Sequence, residues 1–146
     1  MRRYSIYLMK EEVTEEYYGR EVKIFQLFLD EHRAKGRRKE IIQRQVEFVT
    51  RTIPSLDIEN LFIDKRYHSP HAYIQTLNQE SLIEKKNSKA KLIVHGSHLT
   101  IYAEGNYEAE TLLFEILSKY DPCFFALDII NFRYGWLYPI RKMKLI

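Results

Sequence analysis

Arg3-Tyr4-Ser5-Ile6-Tyr7-Leu8-Met9 alternates and is rich in β-prone residues, so it predicts a first strand. From about Glu11 to Ala34 the apolar spacing changes to the helical period. At about 100° per residue, Tyr18, Val22, Phe25 and Leu29 stack into one stripe, the expected core face, and Gly19 is placed to loosen or bend the helix near its start. Lys35-Gly36-Arg37-Arg38-Lys39 interrupts the pattern. A second helix is predicted from about Lys39 to Arg51, with Ile42, Val46, Val49 and then Ile53 as its apolar stripe and Pro54 as its stop.

The middle of the chain carries a weaker pattern. Short helices are expected near Ile58–Phe62 and near Pro70–Leu77, and Glu84-Lys85-Lys86-Asn87-Ser88-Lys89 reads as a solvated loop. Lys91–His95 and His98–Ala103 are β-prone runs separated by Gly96-Ser97, which predicts a hairpin closed by a type II′ turn. Asn106 is positioned as an N-cap, with Glu108 and Glu110 favourable against the helix dipole. Ala109, Leu112, Leu113, Ile116 and Tyr120 form the expected buried face of that helix, and Asp121-Pro122 ends it. Strands are expected at Cys123–Ile129 and Phe132–Tyr138. Strands and helices are interspersed without regular βαβ alternation. The predicted class is therefore α+β, an α/β sandwich in which a single antiparallel or mixed sheet is packed by about three main helices. With 146 residues the chain fits a single domain, 1–146.

Composition changes this picture little. A content of 45% hydrophobic and 29% charged residues is that of a folded chain. The outlier is the aromatic set, 11 Tyr and 8 Phe beside one Trp. Tyrosine joins apolar area to a hydroxyl and serves at a core margin or a partner surface. The lone Cys123 lies in an apolar run and is expected as a buried, reduced thiol. No secretion signal and no apolar run of about 20 residues is present, so the expected location is cytoplasmic and no membrane contact is expected.

Chemistry-bearing patterns are sparse. The five glycines form no phosphate-cradling loop or dinucleotide fingerprint, and no Gly-x-Ser-x-Gly elbow occurs. His68-x-x-His71 and the pair His95 and His98 lack the further ligands zinc requires. No enzyme activity, cofactor, metal or small-molecule substrate is expected. Basic clusters at Arg37-Arg38-Lys39, at Lys85, Lys86, Lys89 and Lys91, and at Arg141, Lys142 and Lys144 fit solvated loops and helix ends. The same clusters leave a nucleic-acid-binding regulator as the alternative function.

A second apolar edge runs along the first two helices. Tyr17, Ile24 and Phe28, with Val13 near the same side, lie about 100° from the core stripe. Ile41, Gln45 and Phe48 flank the stripe of the second helix by a similar angle. This edge is either the margin of a wide core face or an exposed patch of the kind that marks a partner site.

The wording of both ends resembles the sporulation inhibitor of replication family (SirA-type proteins). The resemblance rests on Leu8-Met9-Lys10-Glu11-Glu12, Tyr17-Tyr18-Gly19-Arg20-Glu21, Gln45-Val46-Glu47-Phe48-Val49-Thr50 followed by Ile53-Pro54, Gly105–Leu117, and Pro122-Cys123-Phe124 through Trp136 and Pro139. It implies a non-enzymatic inhibitor that binds the N-terminal domain of the replication initiator DnaA and blocks initiation at the onset of sporulation; direct contact to nucleic acid is not expected, because acidic residues interrupt the basic clusters. The contact surface it implies maps onto Val13, Tyr17, Gln45 and Phe48, with Val13 standing where the family can carry an aromatic ring.

Overall fold

The computed structural model describes residues 1–63 and 72–138. Eight strands among them form one antiparallel sheet in the order β3-β4-β5-β6-β1-β7-β8, with the short β2 paired to the end of β1. The strands are β1 (Arg2–Met9), β2 (Thr50–Arg51), β3 (Ala72–Leu77), β4 (Glu80–Lys85), β5 (Ser88–Val94), β6 (Leu99–Gly105), β7 (Phe124–Asp128) and β8 (Arg133–Trp136). The helices are α1 (Glu11–Glu16), α2 (Glu21–Arg33), α3 (Gly36–Val49), α4 (Ser55–Ile63) and α5 (Glu108–Tyr120). The α+β class stands. The helix count is five, of which α2, α3 and α5 are long at 13, 14 and 13 residues.

Alternation along β1 decides the layering, because successive side chains point to opposite faces. Ile6 and Leu8 enter a core completed by α4, α5, Phe124 and Ala126. Tyr7 and Met9 enter a second core completed by α1, α2, α3, Phe125 and Leu127. β7, covered on both faces, is buried along its whole length and opens with the apolar run Phe124–Leu127, whereas β1 alternates and becomes continuously apolar only from Ile6 to Met9.

Between Glu11 and Arg33 the single expected helix is two. α1 closes with the Tyr17 N–H bonded to the Val13 carbonyl, and Gly19 then takes φ +79. That left-handed conformation is nearly free for glycine and re-aims the chain into α2. The break also shifts the helical phase. Val22, expected in the core, is 56% exposed, while Ile24 and Phe28, expected off the core, are 4% and 2% exposed. The buried face of α2 is thus Ile24, Phe25, Phe28 and Leu29, a wide stripe. Tyr18 is only half-buried. The interruption before α3 is shorter than expected, because the helix already begins at Gly36, which has φ +62.

The segment expected as a helix at Pro70–Leu77 is strand β3 from Ala72 onward, its first residues lying outside those described. The polar stretch at Glu84–Lys89 is the end of β4, a tight turn at Lys86-Asn87 and the start of β5. Glu84, Lys89 and Glu104 are cross-strand neighbours there, a charge row on the sheet face turned to solvent. The hairpin at Gly96-Ser97 is present, with the His95 N–H bonded to the His98 carbonyl. Gly96, however, does not take the positive φ that a type II′ turn requires. The N-cap position of α5 is Tyr107 rather than Asn106, which lies one residue earlier and accepts the Glu108 N–H at 3.0 Å through its Oδ1. The next amide, Ala109, is satisfied by the buried Ser88 hydroxyl, also at 3.0 Å. Leu117 is buried on α5, whereas Tyr120, expected on that face, is exposed and bonds Asp57. Cys123 lies one residue before β7 rather than within it.

Candidate functional site

A groove of about 530 Å³ lies between α1, α2 and α3 beside the end of β1. Its volume is within the range of about 300–1,000 Å³ common for ligand sites. Met9, Val13, Ile24, Leu27 and Val49 give it an apolar floor, and Tyr17, Lys23, Arg44, Gln45 and Phe48 line its walls and mouth.

Local chemistry explains why these residues converge. Met9 is the last residue of β1, where the pleat turns it to the helical side. The Lys10 N–H donates to the Val49 carbonyl at 3.0 Å, which joins the start of α1 to the end of α3. β2 then pairs Thr50 with Met9. The Arg51 guanidinium donates to the Met9 carbonyl at 2.9 Å and is ion-paired with Asp121 at 3.2 Å. The end of the groove at Met9 is therefore held by backbone as well as side chains. Its end at Tyr17 follows from the turn at Tyr17–Arg20. Because Gly19 sends α2 away from α1, Tyr17, the C-cap residue of α1, is left on the groove wall.

All four residues expected to contact a partner line this one groove, yet their exposures differ. Phe48 is 73% exposed and Gln45 is exposed, while Tyr17 is half-buried and packed on the second core. Val13 is buried and belongs to the floor. Of the wider apolar edge, Ile24 joins the floor and Phe28 is taken into the core beside Tyr7, with ring centroids 4.4 Å apart. The edge thus divides. Its α2 part is core, while its α1 and α3 parts border an open groove. The Phe48 ring is held by Lys10, whose Nζ stands 4.6 Å from the ring centroid. Lys23, Leu27 and Arg44 were not singled out by sequence. The signal was available in the i, i+4 spacing of Lys23 to Leu27 and in the adjacency of Arg44 to Gln45, but only once both helices were known to border a shared groove.

Other sequence candidates fall elsewhere. Cys123 is buried and unpaired, and burial pushes its thiol pKa up, which makes it less nucleophilic. His95 and His98 do stack, at 4.6 Å, and His98 also stacks on Tyr7, so they form part of an aromatic column at the hairpin. Burial, then His95 and Arg3, push the His98 pKa down. His68 and His71 lie outside the described residues, as does the cluster at Arg141, Lys142 and Lys144. Arg37, Arg38 and Lys39 sit in the first turn of α3. In the cluster of β4 and β5, Lys86 pairs with Glu108 at 3.4 Å and Lys91 with Glu80 at 3.5 Å. Among the described residues no group of three or more His, Cys, Asp and Glu side chains could hold a metal, and no helix is long and apolar enough to cross a membrane.

A second cleft of about 300 Å³ opens beside β8, where Gly135 leaves the sheet bare between Phe114, Tyr4 and Arg133. It borders a buried polar network. Glu110 accepts from the Tyr4 hydroxyl and from Arg2 Nε at 2.8 Å, and Arg133 donates to Tyr4 at 3.2 Å and to Asp128 at 3.0 Å. Every charge in this network has a partner, so it reads as a tie between β1, α5 and β8.

Comparison with known proteins gives concordant results. Residues 2–141 match the family described as Sporulation inhibitor of replication protein SirA. The chain is also similar to the Sporulation inhibitor of replication protein SirA of Bacillus subtilis (strain 168). Identity is 33% over 150 residues, covering 99% of this chain and 99% of that protein.

Proposed function

This chain belongs to the SirA family, and on that premise we propose that it inhibits chromosomal replication at the onset of sporulation by occupying the N-terminal domain of the initiator DnaA. The name of the Bacillus subtilis relative supports the replication-inhibiting role, and the family resemblance supplies DnaA as the partner. Inhibition is by occupancy, with no bond made or broken, and acts in the cytoplasm, where the chromosome is.

One observation carries the assignment of the surface. Val13 and Tyr17 on α1, and Gln45 and Phe48 on α3, are far apart in sequence yet line a single open groove. An exposed phenylalanine above an apolar floor is the composition of an interface anchor, because docking removes its ring from water at little ordering cost. The floor residues are tied to β1 and to the α1–α3 backbone bond, so docking needs no new backbone arrangement.

The test is direct. The purified chain is mixed with the isolated N-terminal domain of DnaA from the same organism and followed by size exclusion and calorimetry. A complex is expected. Two separate peaks and no heat at tens of micromolar overturn the reading.

A further inference from the structure

The groove carries charge of one sign only. Its ten lining residues include two cations, Lys23 on α2 and Arg44 on α3, and no Asp or Glu. Both cations are exposed and take part in no ion pair among the described residues. Lys10 adds a third positive charge over the Phe48 ring. Elsewhere the chain mixes its charges, 23 basic against 20 acidic, and Lys86 and Lys91 each pair with a glutamate, so a groove with cations on two walls and no carboxylate stands out.

The backbone around the groove limits what can lie in it. Its walls are helices, whose N–H and C=O groups are bonded internally. Met9 at the floor is already bonded to Cys123 on one side and paired with Thr50 on the other. Among the described residues no free strand edge faces the groove, so an extended peptide would bury its own backbone groups unpaired, at a cost of about 1–3 kcal/mol each. A helix satisfies its backbone internally and presents apolar side chains at i, i+3, i+4 and i+7.

We propose that the groove takes an amphipathic helix whose apolar face settles on Val13, Ile24 and Leu27 and whose flanking positions are acidic, so that carboxylates meet Lys23 on one wall and Arg44 on the other. This rests on the reading of the groove as the partner site and adds the chemistry of the partner. Opposite charges at the mouth act mainly on encounter, raising association rates by about ten- to a thousandfold at low salt. They also reject a helix with a basic edge, because like charges would be brought together.

The experiment uses the full chain and two stapled helical peptides of about 18 residues, long enough for an isolated helix to persist. Both carry the same Leu/Phe face, and one has Glu and the other Lys at every flanking position. Methyl NMR signals of Val13, Ile24 and Leu27 report occupancy, and calorimetry gives affinity. The Glu peptide should shift all three and bind at least about tenfold more tightly than the Lys peptide at low salt. The preference should vanish in the double variant Lys23→Gln, Arg44→Gln and persist in Lys89→Gln, Lys119→Gln, which removes equal charge away from the groove. Equal affinity for the two peptides, a preference for Lys, no shift with either, or equal loss in both double variants overturns the proposal. A parallel titration with the DnaA N-terminal domain separates the two ideas. If that domain fails to bind while the Glu peptide binds as described, the identity of the partner is wrong and its acidic, helical character stands.

Discussion

Replacing Phe48 by alanine should separate binding from folding. The ring is 73% exposed, so its loss opens no cavity and removes little burial. What it removes within the chain is the contact with Lys10, 4.6 Å from the centroid, worth about 0.5–1 kcal/mol at an exposed site. For a domain of this size, 1 kcal/mol moves Tm by roughly 2–4 °C, so Phe48→Ala should melt within a few degrees of the parent. Binding to the DnaA domain should weaken by about 2 kcal/mol or more, the loss expected of a central aromatic anchor. Phe25→Ala is the counterpart. Its ring is 4% exposed and stacked on Tyr134 at 4.6 Å, so truncation should cost about 3–5 kcal/mol of stability and lower Tm by roughly 6–20 °C. Trp136, the only tryptophan, packs edge-on against Phe125 at 4.9 Å and gives a fluorescence signal for the melts. If Phe48→Ala melts as early as Phe25→Ala, or binds as the parent does, the division between groove and core drawn here is wrong.

Three further outcomes follow from the geometry. Gly105→Ala should destabilise by upwards of about 3 kcal/mol in denaturant titration. Its φ of +82 disfavours a Cβ, and that Cβ would stand 2.0 Å from the Asn87 carbonyl oxygen; a loss below 1 kcal/mol would refute the fit. Glu110→Ala leaves Arg2 and Tyr4 without their carboxylate and should cost about 3–5 kcal/mol on melting while leaving partner affinity unchanged, because Glu110 belongs to the α5 side of the sheet. The Tyr4 pKa is pushed up to about 12, first by burial and then by its bond to Glu110, and burial likewise pushes Tyr7 up to about 12. Both hydroxyls then stay protonated in the fold after the unfolded chain has released its protons near 10. This contribution to stability is complete below pH 10 and lost as pH rises from 10 to 12. Tyr7→Phe keeps the ring contact with Phe28 and should flatten the decline in an alkaline series of denaturant melts; an unchanged slope contradicts the assignment.

Periodicity made the helical side of the molecule legible in outline, and the physics shows where it stopped. β1, α3, α5 and the hairpin of β5 and β6 carry unbroken alternation or a clean helical stripe, and each is found within a few residues of its expected span. The region around Tyr17-Tyr18-Gly19-Arg20 misled because a helical pattern says nothing of a reversal in direction. Carrying the phase across Gly19 placed Val22 in the core and Ile24 outside it, the reverse of what the fold does. β4 was hidden for a different reason. One of its faces meets solvent, so Glu84 and Lys85 look like loop residues until cross-strand pairing with Lys89 and Ser88 shows them as strand. Val13, Tyr17, Gln45 and Phe48 came from the resemblance as much as from the stripe. Their meeting in one groove depends on the Lys10–Val49 backbone bond and the β1–β2 pair, and neither leaves a trace in hydrophobic spacing. The cations Lys23 and Arg44 were illegible for the same reason, since single charges on helix surfaces are ordinary until the cavity between them is known.

Hydrogen exchange of the chain, alone and saturated with the DnaA N-terminal domain, tests the central claim most directly. Protection on complex formation should fall on α1, on the turn at Tyr17–Arg20 and on the groove-lining parts of α2 and α3, with β4, β5 and α5 unchanged. Protection confined to α5 or to the solvent face of the sheet, with α1 and α3 exchanging as in the free chain, would contradict it.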